Sequence, residues 1–186
     1  MHSVFKAAVK ALVASGKIFQ PVHVTDTIVY LILVGENGET ETDKDLFNCT
    51  NATGGGICIS TEKDYRGIPV GSILLSVSTG IMKQGREVAE FLFGHEYGHH
   101  FLGLKSIELV KFEESIAVET SCDNFGASIF GGEGGVGFMN FLLEMLNSTE
   151  VRVRIRMNSF SQPGIESEWK KTIHAVEVRR EVLVAI

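Results

Sequence analysis

Nowhere in the 186-residue chain do eighteen apolar residues run together, so no transmembrane helix is expected. Cysteine is sparse: Cys49, Cys58 and Cys122 form no CxxC pair. Their spacing argues against a cysteine-rich structural metal cluster and fits a reducing compartment, with a Cys49–Cys58 bridge as the minor alternative. Basic residues are in deficit, and a net charge of −6 favours solubility and argues against nonspecific nucleic-acid binding. A secretory leader is not expected, because Lys6 and Lys10 interrupt the N-terminal apolar run. No repeat occurs, nor a linker long enough to divide two domains. Disorder is excluded as well, since 44% of the residues are hydrophobic. The expectation is a soluble, cytoplasmic chain with one domain over residues 1–186, burying roughly 70% of its unfolded surface.

What the chain does contain is His95-Glu96-Tyr97-Gly98-His99. Read as helix, it sets the two histidines one turn apart, about 40° from each other, where both can hold one metal ion, most often zinc. Glu96 falls about 100° round from His95, too far to ligate easily but near enough to hold a water beside that metal. Val88, Phe91, Leu92, His99 and Leu102 all lie within about 60° of His95, so the histidines interrupt an apolar stripe. The competing reading is a pair of core histidines satisfied by backbone. Gly94 and Gly98 each cost a helix interior about 1 kcal/mol, which suggests close approach by a strand or substrate. Gly103 is placed to end the helix.

A third ligand is sought in the next helix. From 112 to 130, Phe112, Ile116, Glu119, Asp123, Gly126, Ala127 and Phe130 share one face. Glu119 and Asp123 stand in the middle of it, and buried carboxylates need a cationic partner. Glu119 as ligand, with Asp123 accepting a histidine N–H, is the economical assignment. Glu108 shares the face but sits at its start, and ranks second; Glu113 and Glu114 point elsewhere.

His95-Glu96-Tyr97-Gly98-His99 followed by Glu119-Thr120-Ser121-Cys122-Asp123 resembles the gluzincin metallopeptidases, whose pattern is HExxH and then ExxxD. ExxCDxxGA is similar to the ExxADxxA of small HtpX-like and ImmA/IrrE-like zincins. The resemblance covers roughly residues 86–130. It implies zinc bound by His95, His99 and Glu119, Glu96 as catalytic base, and Asp123 orienting a histidine. Three features depart from related groups. Leu102 and Lys105 stand where a metzincin has its glycine and third histidine. The membrane helices of HtpX-like enzymes are missing, and so is the helix-turn-helix module that often accompanies ImmA-type proteins.

Around this centre the expected fold is α+β and zincin-like, a small twisted sheet on the active-site helix with a mainly helical C-terminal half. Residues 3–15 read as an amphipathic helix, and 27–34, 57–60 and 72–78 as strands. In zincins the strand before the active-site helix often lines the cleft and pairs with extended substrate, a role the resemblance gives to 72–78; a plain core strand is the equal alternative. The acidic stretch 36–45 and residues 51–56 read as turns. Residues 131–137, rich in glycine but without GK[ST], read as a flexible link able to gate the cleft, and 138–146 as a short helix. Residues 151–157 alternate like a strand, yet Ser148 could cap a helix there, and both readings stand. A last helix covers 165–178 through Trp169, Ile173 and Val176.

The function expected is zinc-dependent peptide hydrolysis of a peptide or protein substrate, one zinc per chain, with no membrane or nucleic-acid partner. His100, His174, Tyr65, Tyr97 and the arginines are candidates for stabilising the oxyanion. Two rivals remain. One is a zincin-shaped binding or regulatory protein that keeps metal without hydrolysis. The other is a zinc-stabilised structural component, as of a virus particle or secretion machine. Structural zinc sites are normally closed four-ligand sets, often cysteine-rich, and Cys122 lies about 60–100° off the Glu119 face.

Overall fold

The computed structural model describes residues 2–17, 19–24, 27–34, 56–60, 71–104, 112–159 and 161–186. Among these residues the fold is α+β, mostly helical, with a four-stranded mixed sheet in the order β1-β2-β4-β3. Helix α1 (His2–Ser15) buries Phe5, Val9, Leu12 and Val13 along one face, as its periodicity predicts. Strand β1 (Phe19–Val24) escaped the sequence reading because Pro21 and His23 break its apolar character. Both are exposed while Val22 and Val24 are buried, and β1 is an edge strand, where proline is tolerated.

Strand β2 (Thr27–Val34) pairs antiparallel with β1 and parallel with β4 (Ile73–Ser78). The β2–β4 register sets Val29, Leu31 and Leu33 beside Ile73, Leu75 and Val77, and this face joins the helical core. The other side of β4 pairs antiparallel with β3 (Gly56–Ser60). Strand β4 is therefore bonded on both sides and has no edge to offer a substrate. Among the described residues, the edge next to it belongs to β3, which corrects the role given to 72–78.

Ser78 accepts a hydrogen bond from the Gly80 amide and opens a 3-10 turn (Thr79–Gln84) leading into helix α2 (Arg86–Phe101). That helix stops where Gly103 takes a φ of 63°, a conformation glycine adopts without a Cβ penalty. Phe5 stacks on Tyr97 with ring centroids 4.3 Å apart, seating α1 against α2. Helix α3 (Phe112–Phe130) crosses α2 closely. A Cβ at Gly94 would lie 3.0 Å from the Gly126 Cα, and one at Gly126 would lie 3.0 Å from the His95 amide nitrogen. The glycines of the histidine helix thus admit a neighbouring helix, not a strand or substrate.

Residues 131–137 are not a flexible link. All but Gly131 belong to helix α4 (Gly132–Asn147), whose first turns lie on α2. A Cβ on Gly134 would stand 2.1 Å from the Glu87 carbonyl oxygen, and one on Gly135 would stand 2.6 Å from the Phe91 ring. Close packing on α2 thus offsets glycine's poor helix propensity. The strand-like stretch 151–157 lies in helix α5 (Thr149–Asn158), capped by Ser148, whose hydroxyl accepts from the Val151 amide. None of its residues is buried, so the alternation of valine and arginine has no sheet to serve. Helix α6 (Ile165–Val184) continues past the expected 178 and is tied to α4 by Trp169 Nε1–H donating to the Leu146 carbonyl. No helix of the described residues is long and apolar enough to cross a membrane. Residues 36–45 and 51–55, Cys49, Tyr65 and Glu108 lie outside the described residues.

Candidate metal centre

The crossing of α2 over α3 brings His95, His99 and Glu119 together. One ligand atom from each lies within 4.8 Å of the other two. His95 Nε2 is 3.4 Å from Glu119 Oε2, and His99 Nε2 is 3.4 Å from Glu119 Oε1. The second nitrogen of His95, Nδ1, is 2.8 Å from Asp123 Oδ1. Because a carboxylate only accepts, Nδ1 carries a proton, and a neutral His95 then directs its Nε2 lone pair at Glu119. Glu119 Oε1 is buried and has no hydrogen-bond partner among the described residues. Once the proton that His95 shares with Glu119 is displaced, lone pairs from three side chains converge, which fits a cation, and two imidazoles with one carboxylate suit zinc.

Electrostatics agree with that geometry. Burial lowers the pKa of His95, but Asp123 and Glu119 outweigh it and push the imidazole up to about 10. A proton thus binds His95 tightly where no metal takes its place. Burial likewise raises both acids, yet Arg179 and His95 hold Asp123 below the usual carboxylate range, and His95 leads in doing the same for Glu119. Burial lowers His99, which favours the neutral form a metal needs.

Glu96 is only 8% exposed, and burial is the largest cause lifting its carboxyl to about 7. A dication on the three ligands would draw that value down again. This sets a pH-dependent stability in chelator-treated protein. A carboxyl raised from 4.5 to about 7 contributes stability that is full below the first value and lost as pH rises through the second. Glu96→Gln removes that loss. Its stability relative to wild type should therefore rise between about pH 5 and about pH 8, read from urea midpoints at each pH. His95 titrates alike in both proteins to first order, so a constant difference across this window would mean that Glu96 is not held in a desolvated place.

The sequence reading missed Arg179, on α6. Its Nε and Nη2 donate to Asp123 Oδ2 and Oδ1 at 2.6 and 2.9 Å, and Nη1 lies 3.3 Å from Glu119 Oε2. This guanidinium, with His95, is the cationic partner that two acids in an apolar face require. Extending the Trp169, Ile173, Val176 stripe to Leu183 would not have found it, since Arg179 falls about 75° from the middle of that stripe and Arg180 about 25°. Tyr97 is committed to its stack on Phe5, and His100, His174, Arg152, Arg154 and Arg156 are exposed.

No protein-family model, no curated protein and no solved structure matches this chain.

Proposed function

We propose that the chain is a zinc-dependent peptidase of gluzincin type on a zincin-like fold. The observation that carries this reading is the convergence of His95, His99 and a half-satisfied Glu119, with the buried carboxyl of Glu96 on the same helical turn. His95, His99 and Glu119 would hold the zinc, and Asp123 keeps His95 in the tautomer that presents Nε2. When bound, zinc supplies Lewis-acid polarisation of the peptide carbonyl and acidifies water. Glu96 takes the proton of the attacking water and returns it to the leaving amine. The burial of Glu96 supports this role, since desolvation raises the carboxyl against the downward pull a dication would exert and so keeps it basic enough to take a proton. Among the described residues, β3 is the sheet edge on that side, and an extended peptide could pair there.

Metal analysis tests the first half of the proposal. Purified protein is expected to carry about one zinc per chain, and His95→Ala and His99→Ala are each expected to lose it. Full occupancy in both variants would remove these histidines from the site.

A further inference from the structure

Arg179 reaches the site from α6, 56 residues along the chain from Asp123, and divides three nitrogens between two carboxylates. Asp123 Oδ1 accepts from both Arg179 Nη2 and His95 Nδ1. On Glu119 the two oxygens differ. Oε2 has Arg179 Nη1 at 3.3 Å as well as His95 Nε2 at 3.4 Å, whereas Oε1 has no hydrogen-bond partner among the described residues and faces His99 Nε2 at 3.4 Å. A guanidinium and a metal ion repel each other across a shared oxygen, so the oxygen Arg179 occupies is the poorer place for a second cation.

We propose that Arg179 is a positioning residue: it holds Glu119 by Oε2, so that Oε1 alone is presented to the cation, and with the same guanidinium fixes Asp123 on His95. This rests on the reading of His95, His99 and Glu119 as a cation site. Arginine suits the task because its planar fork meets two acids one helical turn apart, where a lysine would offer a single point charge. A carboxylate pinned through one oxygen also keeps a defined direction before any metal arrives.

The sign of the effect separates positioning from plain electrostatics. A positive charge beside a dication weakens binding, so if Arg179 were only a charge its removal would tighten the site. A positioning residue gives the opposite result. Zinc affinities by chelator competition and Co²⁺ absorption spectra would be compared for wild type, Arg179→Lys and Arg179→Met. Both variants should lose about 10–100-fold in zinc affinity, as supporting residues of metal ligands typically do. The Co²⁺ spectrum should shift toward higher coordination as both oxygens of Glu119 become available. Tighter zinc binding by Arg179→Met, or unchanged affinity in Arg179→Lys, overturns the proposal. Weaker binding with an unchanged Co²⁺ spectrum also overturns it, since loosened folding alone would produce that. If neither variant folds, a crystal structure of the zinc-loaded wild type decides. One Glu119 oxygen on the metal is expected, and two overturn the inference while leaving the zinc reading intact. A folded wild type that binds neither zinc nor Co²⁺ overturns the cation site itself.

Discussion

Glu96→Gln is expected to lower peptide hydrolysis by several orders of magnitude while leaving zinc content and fold close to wild type. The amide matches the carboxylate in size, so the packing of α2 against the sheet and α3 is kept. Glu96 is not among the three donors that converge, so metal affinity should barely change. Loss of general acid–base catalysis alone is worth about 10²–10⁴. The expected loss is larger, because the same carboxylate also holds the attacking water in place, and an amide cannot take its proton. The measurement is cleavage of a broad peptide library by both proteins, with zinc occupancy determined on the same samples. Equal cleavage would move the base elsewhere. A wild type that holds zinc and cleaves nothing would turn the reading toward a zincin-shaped binding protein.

The parts of this fold legible in the sequence are those fixed by local period. The apolar runs 27–34 and 73–78 announce strands, and their middles, 29–33 and 73–77, are buried on both faces. The i,i+4 spacing of His95 with His99 and of Glu119 with Asp123 places each pair on one helical face, whatever packs against it. The illegible parts are set by neighbours distant in sequence. The glycine-rich stretch 131–137 reads as a loop from its propensities, yet at Gly134 and Gly135 the Glu87 carbonyl and the Phe91 ring leave room for nothing larger, and residues 132–137 are helical. Strand 72–78 was recognised, but its central position depends on β3, whose pairing no local pattern reveals. Arg179 lay one residue beyond the assigned end of the last helix. Sequence demanded a cation for Glu119 and Asp123 without saying which one. Of the site, the three converging residues are readable, and the arginine that pairs with the two acids is not.

Zinc affinity should fall in the order wild type, Asp123→Ala, Glu119→Ala, with near-complete loss of occupancy in the last. Glu119 supplies one of three donors, and its removal leaves two imidazoles, too few to hold zinc firmly. Asp123 meets the site only through the His95 Nδ1–H and Arg179, so its loss should cost about 10–100-fold in affinity. Asp123→Ala carries a second effect the sequence did not foretell. It strands the Arg179 guanidinium, whose side chain is 11% exposed, without its main partner. Removing one member of a buried ion pair costs about 3–5 kcal/mol, so this variant should be the less stable of the two before any metal is added. Melting must therefore be followed beside each competition titration, and affinities compared only between variants that unfold cooperatively. Stability and metal affinity are then expected to rank the two substitutions in opposite orders, which a merely unfolded variant could not do. Normal zinc binding by Glu119→Ala would pass the third ligand to Asp123 or Glu108 and remove the gluzincin reading with it.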